Sequence, residues 1–410
     1  MNDAPTFQPL LQARTRSRSM GLKLFIVCGL ALVMTIPAFF VDDLVDERTH
    51  RENDVVKEIS NHVGGQQTFL GPTLAIPYTI PALSADGQTR HGVYLVFPAQ
   101  GSATVKTQTE ERRRSLFKVP VFQADLNFSA SFDLSGVPSA AGANVEFDWS
   151  RAEFIVGVSD ARGALTDGTM TFGGKTMTLA PADILQGLSL GTDLTRQTKL
   201  TLFGTRGVEI KPNTQFNATA ALRFSGAQRI ALLANGKSTR VSLQGDWANP
   251  SFDGGFLPMN RNITKSGFNA DWSVPFIARG VRAEGTIDSL TGLDATALGV
   301  SFIEVADPYQ SVTRSLKFIL LFNGLIFLSY FVFEVTTGKR VHPAQYALVG
   351  VAQIIFYLLL LSLAERIGFD LGFLIAGAAT VLLLSTNAGW IFAASFRPSA
   401  LWPCSAFSIR

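Results

Sequence analysis

Cysteine and histidine are scarce in this chain, and their scarcity limits the chemistry that it can hold. Only two cysteines and four histidines occur among 410 residues, and Cys28 and Cys404 lie near opposite ends of the sequence. The long middle region therefore has no disulfide, even in an oxidising compartment. The sequence also lacks an HExxH motif, a Cys–His cluster, an EF-hand loop and a glycine-rich phosphate loop. We therefore expect no metal site and no cofactor.

Charge is scarce as well. Charged residues make up 16% of the chain and the net charge is only +3, whereas soluble domains average about 25% charged residues. This balance gives no electrostatic case for a nucleic-acid partner. The one basic run, Arg112–Arg114, follows Glu110 and Glu111. Such a run is more often a solvated loop, although binding of phosphate or an anionic lipid head group is an alternative.

Long apolar stretches are abundant, in contrast, and they divide the chain. A bilayer core about 30 Å thick needs roughly 20 apolar residues in a helix. We predict a cytoplasmic segment at residues 1–23, a stem helix at 42–63, a large domain at 64–313, and four membrane spans: residues 24–41, 318–335, 344–364 and 371–393. A cleaved signal peptide is the alternative for the first span. However, its apolar run is too long and no small-x-small cleavage pattern follows it.

The charges that flank these stretches predict an orientation. Lys and Arg near short loops mark the cytoplasmic side of a membrane. Basic residues precede the first span, whereas acidic residues follow it, and the ends predicted to be cytoplasmic carry Arg14, Arg16, Arg18, Lys23, Lys339, Arg340 and Arg397. We therefore expect a cytoplasmic N-terminus, a large domain outside the cytoplasm, and Lys317 and Glu334 at the membrane edges of the second span.

The large domain reads as β-rich. Alternating apolar residues predict strands at 74–78, 93–97, 121–128, 152–158, 201–203, 216–224 and 240–244. Turn signals such as Gly173-Gly174 and Asn235-Gly236 separate them. Strands at this spacing without helical crossovers favour a sandwich or stacked antiparallel sheets. The fold class is thus a multi-pass α-helical membrane protein with a large β-rich extracytoplasmic domain.

A search for catalytic residues gives one weak match. Gly187, Ser189 and Gly191 fit the nucleophile-elbow pattern, which has meaning only on a strand–turn–helix with an acid and a His downstream. The only His after Ser189 is His342, which we predict on the other side of the membrane. No triad can therefore close, and we expect that the chain is not an enzyme.

The predicted spans contain few polar residues. Asn323, Gln345 and Gln353 are the deepest, and they suit hydrogen bonds between helices. Gly368 and Gly372 give the fourth span a small-residue face, which permits close packing with another helix of this chain or of a partner. Secondary transporters usually have broken helices and paired repeats, so this polar-poor bundle argues against that class.

Four parts of the sequence are similar to motifs of one family, in the same order. They are residues 65–78, residues 249–258 with 267–272, residues 302–310 with Arg314 and Lys317, and residues 342–350 with 356–369. The chain resembles the CreD family of bacterial inner-membrane proteins, which is associated with cell-envelope integrity. The motif positions, whose roles the resemblance does not assign, are Gln67, Gly71, Pro72, Pro77, Tyr78, Ser251, Phe252, Tyr309, Arg314, Lys317, His342, Pro343, Gln345, Tyr346 and Glu365.

The resemblance implies one N-terminal anchor, a large periplasmic domain and a C-terminal helical bundle in the inner membrane. It also implies expression under a two-component system and a role in envelope homeostasis or stress response. Similar proteins carry about two more spans, so residues 394–410 read as an atypical tail, with truncation or a frameshift as possible origins.

Two functions follow as expectations. The first is a non-enzymatic protein that binds or scaffolds through its periplasmic domain, with a periplasmic, peptidoglycan or membrane-protein partner besides the lipid bilayer. The alternative is a transporter or permease-like component, suggested by His342, Gln345, Tyr346 and Glu365. Helix rise separates His342 from Glu365 by about 34 Å, which opposes a shared site.

Overall fold

A computed structural model describes residues 11–81, 89–114, 116–137, 144–190, 198–205, 207–287, 292–303, 308–338 and 341–393. Lys339, Arg340, Arg397 and the tail at 394–410 lie outside these ranges. The chain forms two compact units, a helical unit of residues 1–52 and 306–410 and a β-rich unit of residues 53–305. The boundary between them falls within one helix.

Seven α-helices occur in the described part of the chain. They are α1 Leu11–Val33, α2 Ile36–Val63, α3 Phe276–Arg279, α4 Pro308–Leu316, α5 Ile319–Thr337, α6 Pro343–Ile367 and α7 Phe369–Ala393. By length and composition, four stretches of these described residues can cross a membrane: Leu24–Val63, Ile319–Thr337, Pro343–Ile367 and Phe369–Trp390.

The predicted first span is not one unbroken helix. Helix α1 ends at Val33 and α2 begins at Ile36, after a turn in which the Thr35 hydroxyl donates to the Leu32 carbonyl. Pro37 explains the break, because its ring lacks an N–H and collides with the carbonyl four residues earlier. Proline is tolerated in the first turn of α2, where it lies.

Side chains of α1, α5 and α6 form the core of the helical unit. Val27, Phe327 and Tyr346 belong to one buried cluster. The Asn323 amide donates to the Ala31 carbonyl at 3.1 Å, so this polar residue bonds between helices as its position in the span predicts. Gly350 permits close packing, because a Cβ there would lie 2.5 Å from the Met34 side chain.

The β-rich unit contains two mixed sheets. Its strands are β1 Gln67–Ile80, β2 Arg90–Val96, β3 Gln100–Arg114, β4 Phe117–Asp133, β5 Glu146–Phe147, β6 Glu153–Val158, β7 Thr169–Phe172, β8 Lys175–Thr178, β9 Ala180–Pro181, β10 Gly187–Leu190, β11 Thr198–Thr205, β12 Gln215–Ala227, β13 Arg229–Leu233, β14 Ser238–Gly245, β15 Pro250–Gly254, β16 Asn260–Thr264, β17 Gly267–Val274, β18 Glu284–Thr286 and β19 Ala297–Phe302. All seven predicted strand segments overlap these strands.

Sheet 1 has the order β10-β11-β6-β1-β13-β19-β15, with β2, β5, β9 and β18 paired beside it. Sheet 2 has the order β16-β17-β14-β3-β4-β12-β7-β8. Most strand pairs are antiparallel, whereas β1 pairs with β13 and β14 with β3 in parallel. Gly173-Gly174 turns the β7–β8 hairpin, whereas Asn235-Gly236 carries the chain from sheet 1 to sheet 2.

The two sheets pack face to face. Phe69 and Phe154 of sheet 1 lie against Phe224 and Phe132 of sheet 2, with ring centroids 5.5 and 5.4 Å apart. These four belong to one large buried cluster that draws on both sheets. The phenylalanine-rich strands therefore build a sandwich core, in which edge-to-face and tilted ring pairs are favourable. The protein is a multi-pass α-helical membrane protein that carries a β-sandwich.

Candidate functional site

Gln67 is a fully buried polar residue at the start of β1, and its amide joins three parts of the sandwich. Its Nε2 donates to the carbonyls of Gly64 at 2.8 Å, Asp160 at 2.9 Å and Ser225 at 3.3 Å. Its Oε1 accepts from the Ser159 hydroxyl at 3.2 Å. These partners follow α2, follow β6 and lie in β12, so one side chain ties the end of the stem helix to both sheets.

Small residues around Gln67 leave room for this junction. A Cβ at Gly163 would lie 2.4 Å from the Ser225 carbonyl oxygen, and one at Gly226 would lie 2.9 Å from Gln67 Cγ. The Ser225 hydroxyl donates to the Val63 carbonyl at 2.8 Å. The junction is thus closely packed, and it has no free polar group on Gln67 to offer a ligand.

Gly71 and Pro72 lie at an irregularity in the centre of sheet 1. The β1–β6 register shifts between Leu70 and Thr73, which accommodates a proline that cannot donate to a sheet ladder. The Asn235 amide donates to the Pro72 carbonyl at 3.1 Å. A Cβ at Gly71 would lie 3.2 Å from the same amide, so this glycine keeps Asn235 close to the strand.

Pro77 and Tyr78 lie near the C-terminal end of the same strand, β1. The Pro77 carbonyl accepts the Asp148 N–H at 2.9 Å. Tyr78 lies opposite Gly92 of β2, and a Cβ at Gly92 would come within 2.6 Å of the phenol ring. The ring therefore covers the glycine across the strand pair, which is a packing role.

Ser251 and Phe252 lie on β15, the edge of sheet 1. Ser251 is opposite Ser301, and Phe252 packs edge-to-face on Phe268 and Trp272 of sheet 2, each at 6.0 Å. Phe252 therefore closes one side of the sandwich.

The next residue, Asp253, forms an ion pair that the sequence did not predict. Its carboxylate accepts from Arg229 Nε at 2.8 Å and lies 2.7 Å from Arg229 Nη2. This ion pair joins β15 to β13 across the intervening β19, and a Cβ at Gly299 of β19 would lie 2.1 Å from the carboxylate. Only the structure brings these positions together, because their pairing crosses the sheet.

Glu153 and Arg279 were also missed. Glu153 is a buried acid in an otherwise apolar strand, which is the signal that would have found it, and its carboxylate accepts from the N–H groups of Asp183 and Ile184. Arg279 is buried over the Phe97 ring at 4.5 Å and has no hydrogen-bond partner among the described residues. Burial lowers the pKa of Arg279 to about 10.

In the helical unit, the buried Tyr309 pairs with the partly buried Glu365. The Tyr309 hydroxyl donates to Glu365 Oε1 at 3.0 Å, and Arg48 Nε lies 3.9 Å from the same oxygen. Burial first, then the charge of Glu365, raises the pKa of the Tyr309 hydroxyl, which stays a proton donor at neutral pH. The pair links α4 to the C-terminal end of α6.

Arg314 and Lys317 do not join this pair. Arg314 Nη2 lies 3.4 Å from Gln310 Oε1 on the same helix, a long contact, and Lys317 is exposed just after α4. Lys317 lies between α4 and α5, where its long side chain can extend to the edge of the predicted span.

His342, Pro343 and Gln345 begin helix α6. His342 Nδ1 accepts the Ala344 N–H at 3.2 Å, and Gln345 Oε1 accepts the His342 N–H at 3.2 Å. This reciprocal pair is a capping box, and Pro343 occupies the first turn, where its missing N–H costs nothing. The motif thus specifies where the third span starts.

Tyr346 lies one turn further into α6 and pairs with Glu334 of α5. The Tyr346 hydroxyl donates to Glu334 Oε2 at 3.0 Å, and Glu334 Oε1 accepts the Val341 N–H at 3.2 Å. The expectation that Glu334 extends to the membrane edge is wrong, because it is only 6% exposed. Its bonds to α6 and to the preceding loop outweigh solvation of the carboxylate.

The four residues behind the transport alternative thus separate into two groups. His342, Gln345 and Tyr346 lie at the N-terminal end of α6, whereas Glu365 pairs with Tyr309 at the other end. Each Tyr–Glu pair fastens α6 to a different helix, so the helical unit has no single site made of all four.

Gly368 and Gly372 lie at the turn between α6 and α7. Gly368 ends α6 with φ +85°, a conformation that L side chains rarely adopt. A Cβ at Gly372 would lie 3.0 Å from the Ala364 backbone nitrogen. Gly372 therefore already serves a close contact inside this chain.

The two other sequence features also have defined surroundings. Ser189 is an exposed residue inside strand β10, not at a turn into a helix. Arg112 and Arg113 pair with Glu110 and Glu111, and Arg114 pairs with Glu58 of α2. The basic run is therefore exposed and compensated by acids, but the expectation of a loop is wrong, because these residues end strand β3 and pair with β4. Within the described ranges, no three His, Cys, Asp or Glu side chains gather as a metal site.

Comparison with known proteins gives a consistent identification. The family model described as "Inner membrane protein CreD" matches residues 19–402, a range that includes part of the tail. The chain is 30% identical to Inner membrane protein CreD of Escherichia coli (strain K12) over 362 residues, which cover 85% of this chain and 76% of that protein. With its apolar helices and its β-sandwich, the chain belongs to the CreD family of inner-membrane proteins.

Proposed function

We propose that the chain supports cell-envelope integrity or envelope stress homeostasis, and that it acts by binding or scaffolding through a periplasmic β-sandwich. The observation that carries this proposal is that the motif residues have structural roles. Gln67 bonds the stem helix to both sheets, and His342 with Gln345 begins a membrane helix. A chain whose motif residues stabilise its fold is suited to presenting a rigid surface to a binding partner.

Family membership supports an envelope role, and the flanking charges support the orientation. Arg14, Arg16 and Arg18 precede the first span, whereas Asp42 and Asp43 follow it. By the positive-inside rule this pattern supports a cytoplasmic N-terminus and a periplasmic sandwich. Partners of the periplasm, the peptidoglycan or the membrane would then meet the sandwich directly.

A transport component is the second candidate, and the buried Glu334–Tyr346 pair is the observation that favours it. Ionisable groups inside membrane helices are costly and often functional. The pair is also a fastening between α5 and α6, and that role explains its burial without a transport path. Glu334→Gln separates the two, because the amide oxygen can still accept the Val341 N–H while the amide nitrogen donates to the Tyr346 hydroxyl, so the fastening remains and the charge is removed.

The experiment uses a deletion strain challenged with a β-lactam and with detergent. The full chain restores resistance, and Ser189→Ala restores it equally because Ser189 is an edge-strand residue. In-cell crosslinking from the sandwich then recovers a periplasmic partner. Recovery of no partner, together with turnover of an envelope substrate by the purified protein, would overturn the proposal. Loss of resistance in Glu334→Gln at normal protein levels would favour transport.

A further inference from the structure

Strand β16, Asn260–Thr264, is the last strand of sheet 2. Among the described residues it pairs only with β17, and all five of its side chains are exposed. The outer side of β16 therefore presents backbone N–H and C=O groups to which an extended chain can add as a further strand.

The register shows which side chains face the core. Arg261 lies opposite Ala270 and Ile263 opposite Phe268, and both partners are buried in the sandwich. Residues opposite each other in a sheet project from the same face, so Arg261 and Ile263 point to the core side. Met259 lies just before the strand, in a bend, and its N–H donates to the carbonyl of Asp271, the residue opposite Asn260, at 2.8 Å.

Ile263 and the aliphatic stem of Arg261 extend the apolar core beyond its covered part, and Met259 precedes them in the chain. Phe252 of sheet 1 covers Phe268 and Trp272, but Met259 and Ile263 remain 70% and 46% exposed. We call Met259, Arg261 and Ile263 the rim strip. Large exposed apolar side chains on an unpaired edge strand favour association, and such edges are usually protected.

The rim strip has an apolar–basic–apolar pattern with a two-residue period. Arg261 is exposed and forms no ion pair within the described part of the chain. The opposite face of β16 differs, because Asn260, Asn262 and Thr264 are all polar. The core-side face of the edge strand thus combines the apolar Ile263 with the cation of Arg261, and its complement is an acidic and an apolar residue at two-residue spacing.

We propose that β16 is a docking edge for an extended segment of a partner protein, in which an acidic residue and an apolar residue alternate at two-residue spacing. This inference rests on the proposed binding function and specifies its partner. The segment would add to β16, place its acid opposite Arg261 and cover Ile263. A second copy fits poorly, because antiparallel pairing of two β16 strands about Arg261 opposes two like charges.

The test places a photo-crosslinking amino acid at Ile263 of the full chain in living cells, with Asn262 as the position on the opposite face. We expect a protein adduct from position 263 and little from 262. Arg261→Glu lowers its yield about fivefold, the size of effect expected for reversal of a cross-strand charge pair. Arg240→Glu is the matched control, because Arg240 is exposed on the outer face of β14.

Peptide sequencing of the adduct then identifies the docked segment. The proposal requires the alternating acidic pattern, and an acid-to-arginine change in that segment restores crosslinking to Arg261→Glu. An adduct with lipid, peptidoglycan or another copy of this chain overturns it, and so does an equal loss in Arg240→Glu. Silence at 263 with a protein adduct elsewhere on the sandwich overturns the docking edge and leaves the proposed function standing.

Discussion

Two buried polar side chains of the sandwich, Gln67 and Arg279, differ in whether their polar atoms have hydrogen-bond partners. The Gln67 amide donates to backbone carbonyls from three parts of the sandwich. The Arg279 guanidinium lies over the Phe97 ring and has no hydrogen-bond partner among the described residues. A satisfied buried polar group stabilises a fold, and an unsatisfied one lowers its stability. The two residues therefore give mutational effects of opposite sign.

Replacing Gln67 with Ala would leave the carbonyls of Gly64 and Asp160 without their donor and would open a cavity. We expect a loss of about 3 kcal/mol in the free energy of unfolding. Thermal unfolding of the detergent-solubilised chain, followed by tryptophan fluorescence, measures it. Gln66→Ala is the neighbouring control, because the Gln66 side chain is exposed and, among the described residues, donates only a long hydrogen bond to Gln228 Oε1, at 3.5 Å. Equal effects of the two changes would refute the junction.

Arg279→Met should instead stabilise the sandwich. Burial lowers the pKa of Arg279 to about 10, so the buried charge costs stability at every pH below that value. The cost is relieved only as the pH rises through the folded-state pKa toward the ordinary arginine pKa. We expect a gain of about 1–3 kcal/mol at pH 7, since an apolar side chain removes the unpaired charge. Arg240→Met, on the exposed face, should change little, and a less stable Arg279→Met would mean that the guanidinium is paired.

At the scale of elements, local pattern predicted more than pairing. Alternation in residues 121–128 and 216–224 suffices to place strands there, and β4 and β12 include them. It does not predict that β1 pairs in parallel with β13, because those strands are separated by much of the sandwich sequence. Strand order depends on which apolar faces bury one another, and the sequence of a single strand does not indicate its partner.

The two Tyr–Glu pairs of the helical unit could not be predicted from the sequence, for the same reason. Tyr309 and Glu365 belong to helices α4 and α6, and only their packing brings them within 3.0 Å. Glu334 reads as a flank of its span, because hydropathy alone does not reveal the partner Tyr346. His342, Pro343 and Gln345 are different, since the residue types of a helix start are themselves local.

The start of helix α6 gives a prediction that separates structure from transport. His342→Ala removes the acceptor of the Ala344 N–H and should cost about 1 kcal/mol. His342→Asn should keep most of that stability, because Asn is a favoured N-cap residue. Thermal unfolding and resistance in the deletion strain should follow the same order. Loss of resistance in His342→Asn with normal abundance and unfolding would instead indicate a role for the imidazole in transport.

For the whole molecule, the proposed function depends on orientation, because the sandwich can meet envelope partners only from the periplasm. The chain offers a direct test. Its two cysteines, Cys28 and Cys404, can be replaced with Ala to give a cysteine-free background. Ser189→Cys then reports on the sandwich from an exposed position of β10, and Ser17→Cys reports on the segment before the first span.

Cells with a permeabilised outer membrane are treated with a membrane-impermeant maleimide. We expect labelling of Ser189→Cys in these cells, whereas Ser17→Cys should react only after the inner membrane is opened. The physical reason is the cluster of Arg14, Arg16 and Arg18, which is retained on the cytoplasmic side. The reverse pattern would place the sandwich in the cytoplasm, where neither peptidoglycan nor a periplasmic segment could reach β16, and both proposals would then fail together.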